Sequence, residues 1–75
     1  MSKLGKPLGS AIRIRRQELG LSQETLSELS AVHWTYISQL ENGHKSPSLR
    51  VMEDLAEALQ IEVSTLSQMA EKLRT

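Results

Sequence analysis

The side chains with a capacity for chemistry gather in one short stretch. Residues 33–39 read His-Trp-Thr-Tyr-Ile-Ser-Gln, with Leu-Glu following. Wound as a helix, this stretch puts Ile37 and Leu40 on one face. His33, Trp34, Thr35, Ser38 and Gln39 fall on the opposite side, and none of them is acidic. Such a surface carries donors and acceptors, does not repel an anion, and exposes an aromatic ring. It suits the edges displayed in the major groove of DNA, which is wide enough to admit a helix.

Catalysis is not indicated. Cysteine is absent, so a disulfide scaffold, a thiolate metal site and a cysteine nucleophile are excluded together. Ser22 and Ser48 read as helix caps, and no serine is set with a histidine and an acid. The glycines Gly5, Gly9, Gly20 and Gly43 are scattered rather than gathered in a phosphate loop. Glu53 and Asp54 are adjacent and so point about 100° apart on a helix. His33 and His44 are too few and too far apart to suggest a metal site, and His44 reads as an exposed loop residue. No metal, cofactor or small-molecule ligand is expected.

The elements that must position the stretch are helical. Apolar residues recur at steps of three and four, and the strict alternation of a strand is missing. Leu8, Ala11, Ile12 and Leu19 share a face of a first helix, which Gly20 stops. Ser22 caps a second, with Leu26 and Leu29 facing inward. A turn near residues 30–32 leads to a third over about 33–41, ended by Asn42-Gly43. After a loop at 44–47, Ser48 caps a fourth helix with Leu49, Met52, Leu55, Ala56 and Leu59 on one side, ending near Gln60. A fifth runs over about 63–73, striped by Val63, Leu66, Met69, Ala70 and Leu73. The expected fold is all-α, a compact five-helix bundle in one domain over residues 8–75, preceded by a flexible segment at 1–7.

The chain has 75 residues and balances nine basic against nine acidic side chains. The balance hides an asymmetry: residues 1–50 carry a net +3 and residues 51–75 a net −3. One end can therefore face a polyanion while the other faces water or a partner. No apolar stretch approaches the ~20 residues of a membrane span. The first residues lack the apolar core of a signal peptide, so a cytoplasmic, nucleoid-associated protein is expected. A chain this short, with neither disulfide nor metal, leans on tight packing or on self-association. The stripe at Leu66, Met69, Ala70 and Leu73 extends past what four helices need and is assigned to a dimer interface, with packing on Leu4 and Leu8 of its own chain as the alternative.

Three blocks at fixed spacing carry a resemblance. They are Leu21-Ser22-Gln23-Glu24-Thr25-Leu26, then Thr35-Tyr36-Ile37-Ser38-Gln39-Leu40-Glu41-Asn42-Gly43, then Pro47-Ser48-Leu49. Together they resemble the helix-turn-helix family of Cro, phage repressors and Xre-type regulators, over about residues 8–66. The Thr35-Tyr36-Ile37-Ser38 portion is similar to the small controller proteins of restriction-modification systems. The resemblance implies a lambda-repressor-like bundle with helices 2 and 3 as the motif. It implies a homodimeric regulator reading an inverted repeat in double-stranded DNA, with RNA polymerase as a further partner.

Residue by residue, the resemblance implies that Thr35 and Gln39 read bases, with Ser38 between them and Trp34 at the leading edge. In controller-like relatives the position of Trp34 is often arginine. Contact with a thymine methyl or the sugar-phosphate edge is expected of Trp34 here, with folding back onto the domain as the alternative. The DNA backbone falls to Arg13, Arg16, Gln23, His33, Tyr36, Asn42, Lys45 and Ser46. For Tyr36 the alternative is packing beside the fourth helix. Arg16 is also expected to pair with Glu41. Departures from the family pattern are Ala31 and Gln60 where glycine is usual, Ser27 where alanine is usual, and Arg15 where leucine is common. A competing reading keeps the fold as a protein-interaction module, antitoxin-like, without DNA reading.

Overall fold

Local chemistry sets where several of the helices begin and end. The computed structural model describes residues 5–74. Its helices are α1 (Gly5–Glu18), α2 (Gln23–Ser30), α3 (Trp34–Glu41), α4 (Leu49–Ala58) and α5 (Val63–Leu73), with no strand among the described residues. Helix α1 starts at Gly5, so residues 5–7, expected to belong to a flexible segment, are helical, and residues 1–4 lie outside the described part. The Ser22 hydroxyl accepts from the Thr25 amide at 3.0 Å, and the Ser48 hydroxyl accepts from the Val51 amide at 3.2 Å. Both bonds satisfy an amide that has no partner inside its helix.

Three of the helix ends share one geometry. At Gly20 (φ 71°), the Leu21 amide donates to the Arg16 carbonyl and the Gly20 amide to that of Gln17. The same paired bonds close α3 at Gly43 and α4 at Gln60, where the Ile61 amide donates to the Ala56 carbonyl. These are Schellman ends, which require a left-handed residue. Gln60 adopts it at φ 56° although it has a side chain. Ala31 does so at φ 60°, ψ 18°, with its amide on the Ser27 carbonyl at 2.9 Å. The turn between α2 and α3 thus keeps the shape that glycine would give it. The alanine methyl there carries strain of roughly 1–2 kcal/mol.

The core is built from Leu8, Ala11 and Ile12 of α1, Leu26, Val32, Ile37 and Leu40 of the α2–α3 pair, and Leu55, Leu59, Leu66 and Ala70. Helix α1 packs on α5 and α3, while α2 packs on α3 and α4. Close approach of α1 to α3 depends on Gly9. A Cβ at that position would overlap the Leu40 carbonyl, so only glycine lets the two backbones meet.

Several inward assignments are corrected. Leu29 is 59% exposed and Leu49 is 69% exposed. On the short helix α2 the buried positions are Leu26 and Ser30, four apart, which leaves Leu29 beside an open cleft lined by Asp54, Glu57 and Ala58. On α4, burial falls on Leu55, Ala56 and Leu59, and Leu49 at the first position lies outside that set. A back-bond to a carbonyl one turn earlier is made by Ser30 at the end of α2. Ser30 Oγ donates to the Leu26 carbonyl at 2.7 Å and accepts from the Val32 amide at 3.2 Å. Leu66 and Ala70 are 0% and 1% exposed within their own chain, which removes them from any dimer surface. Their burial follows from the packing of α5 on α1.

Candidate nucleic-acid interface

Helix α3 is fixed from behind by its apolar side and by one carboxylate. Ile37 and Leu40 are 0% and 1% exposed. Glu41, the only acid on α3, is also buried, and its oxygens are surrounded by donors. Arg16 donates through Nε to Oε2 at 2.8 Å and through Nη2 to Oε1 at 2.9 Å, a two-pronged ion pair. Arg13 Nε and Gln23 Nε2 each reach Oε1 at 3.2 Å. Burial pushes the Glu41 carboxyl up, but the bonds from Arg16, Gln23 and Arg13, with the charge of Arg16, outweigh it and hold it below the ordinary carboxylate value. The same contact raises Arg16. Glu41 thereby ties α1, α2 and α3 together and keeps negative charge off the outer face.

This network redistributes the residues assigned to the DNA backbone. Arg16 also donates through Nη1 to the Leu21 carbonyl at 2.8 Å, so each of its three nitrogens is engaged within the chain. Its side chain is only 12% exposed, which takes Arg16 away from the phosphate contact expected of it. Gln23 turns its amide nitrogen inward to Glu41. Arg13 is 44% exposed and joins the network from its rim, with Nη2 on the Asn42 side-chain oxygen at 3.3 Å. Asn42, His44, Lys45 and Ser46 are exposed beyond the end of α3. Lys45 Nζ lies 5.5 Å from the Tyr36 ring centroid, a cation–π contact that draws this loop towards the helix. Tyr36 itself is half-buried against the core.

The outward edge of α3 is open. His33, Trp34 and Thr35 are exposed and Ser38 and Gln39 partly so. Trp34 is 52% exposed and does not fold into its own domain. Its ring stacks on that of His33, with centroids 6.0 Å apart and planes 25° from parallel. His33 caps the helix, since its Nδ1 accepts from the Thr35 amide at 3.1 Å. No His, Asp or Glu cluster of the described residues could hold a metal ion.

Sequence reasoning overlooked the structural roles of three residues. Gly9 sets the distance between α1 and α3; its signal was a glycine inside an otherwise good helix, where it costs about 1 kcal/mol unless packing requires it. Arg15 donates to the carbonyls of Leu59 and Gln60 at 3.0 and 3.2 Å and so holds the C-terminus of α4 against α1. No local pattern announces that contact. Ser30 falls in the turn expected near residues 30–32, which gives no sign of its buried bond to the Leu26 carbonyl.

The comparisons with known proteins fit this geometry. The competence pilus inhibition repressor of Acinetobacter baylyi is 35% identical over 88% of this chain, which spans 60% of that relative's length. The restriction-modification controller protein C.AhdI from Aeromonas hydrophila superposes with a TM-score of 0.79 at 39% identity, covering 81% of this chain and 92% of that one. The controller protein C.Esp1396I, solved as a tetramer in complex with its natural 35 base-pair operator, superposes with a TM-score of 0.88 at 26% identity, covering 99% and 97%. A family model described as helix-turn-helix matches residues 12–66, and the chain belongs to that family.

Proposed function

We propose that this protein is a transcriptional regulator that binds double-stranded DNA directly and sequence-specifically as a homodimer on an inverted repeat. The observation that carries the reading is the acid-free, solvent-open edge of α3, whose sole carboxylate is buried behind it. Trp34, Thr35, Ser38 and Gln39 read bases. Arg13, Asn42, Lys45 and Ser46 contact phosphates at the rim, with Tyr36 beside Lys45. Two copies related by a two-fold axis present their α3 helices about 34 Å apart, one turn of DNA. On α5 the groups left for that contact are Leu73, 43% exposed, and the outer part of Met69. The protein acts in the cytoplasm, on the nucleoid, by occupying its site rather than by catalysis. C.Esp1396I, solved on its operator, supports this assignment through the likeness of the whole chain. Selection of bound fragments from random duplex DNA tests it. An inverted repeat with half-sites one helical turn apart is the expected product, and recovery of no enriched sequence contradicts sequence-specific reading.

A further inference from the structure

The cap of α3 is unusual in kind. Serine, threonine, asparagine and aspartate are the ordinary N-caps, and each offers an oxygen to the first free amides. Here the acceptor is an imidazole nitrogen, His33 Nδ1, 3.1 Å from the Thr35 amide. An amide N–H can only donate, so this Nδ1 must carry the lone pair. In the neutral ring the proton then resides on Nε2, the tautomer being set by the bond at the other nitrogen. The ring is exposed and stacked on Trp34, so its orientation is fixed from two sides. Trp34 Nε1 is likewise a donor that cannot accept.

We propose that His33 is a DNA-contacting residue whose two nitrogens divide the work: Nδ1 caps α3, and this locks Nε2–H as a donor directed at acceptor oxygens or nitrogens of DNA. The inference rests on the DNA-binding reading and sharpens it. With its Nδ1 engaged, the His33 ring and that of Trp34 together offer two donors and no acceptor. They fit phosphate oxygens or the acceptor edge of guanine, N7 and O6, and they reject the amino groups of cytosine and adenine.

Two measurements test this. In the free protein, nitrogen-15 correlation spectra of the neutral imidazole are expected to show His33 protonated at Nε2; protonation at Nδ1 overturns the proposal whatever the protein binds. The second compares His33→Gly with His33→Ala on the tightest duplex recovered by selection. Glycine is tolerated at an N-cap and carries no outer donor, so His33→Gly should melt close to the wild type yet bind about tenfold more weakly. His33→Ala should lose both properties. A uniform loss across sequences identifies a phosphate acceptor, and a loss confined to one base pair identifies a base edge; both support donation. His33→Gly binding as tightly as the wild type overturns it. Wild-type protein that binds no duplex removes the DNA reading and the outer role with it, while the tautomer result stands by itself.

Discussion

Glu41 shows how one side chain sets both the fold and the charge of a binding edge. Its carboxyl lies below the ordinary value, so the sign of its pH effect is fixed. The stability it contributes is fully present above the unfolded carboxylate value near 4.5 and is lost as pH falls from there through the lower folded value. Glu41→Gln should cost about 3 kcal/mol at neutral pH, because Arg16 is left without its partner in a largely buried site. Thermal melts from neutral pH to pH 3 should show the wild type losing stability in that window and the variant much less; equal acid sensitivity would mean that Glu41 is not the responsible group. Gly9 gives a second test. Helix propensity alone predicts that Gly9→Ala stabilises by about 1 kcal/mol. The overlap with the Leu40 carbonyl predicts the opposite, a loss of about 2–3 kcal/mol in denaturant melts, because α1 must move off α3.

At the scale of elements, the helices were legible in the sequence because their signals are local. Periodicity placed the five segments, Ser22 and Ser48 marked two starts, and Gly20 and Gly43 marked two ends. What the sequence did not reveal depends on neighbours. Leu29 and Leu49 keep the apolar period, but no opposing helix covers them. The stripe on α5 reads as surplus until α1 is laid against it, which buries Leu66 and Ala70. Gln23 and Arg13 look like polar surface residues until the turn brings Glu41 beneath them. The family's glycine preference correctly flagged the two strained helix ends, since Ala31 and Gln60 take the left-handed conformation despite their side chains. Ala31→Gly and Gln60→Gly should therefore each stabilise the protein by about 0.5–1 kcal/mol, the relief of strain exceeding the added freedom of the unfolded chain. Urea midpoints measure this, and a lower midpoint for either variant would show the turn to be unstrained.

At the scale of the whole molecule, the bundle separates two surfaces. The α3 edge is open with its carboxylate hidden, and the exposed end of α5 is the surface proposed for a second copy. Leu73→Glu should therefore raise the dimer dissociation constant and weaken operator binding in parallel, with the monomer fold retained. Sedimentation at several concentrations reads the first effect; an unchanged dimer would place the two-fold contact elsewhere. The central claim, that the open flank of α3 meets DNA, is tested most directly through Trp34, the only tryptophan in the chain and one that sits on that flank. Its emission should change saturably on titration with the selected duplex at low salt, and the affinity should fall steeply as salt is raised, because binding releases counterions. Emission that ignores the duplex at low salt, with the protein folded, would contradict the account.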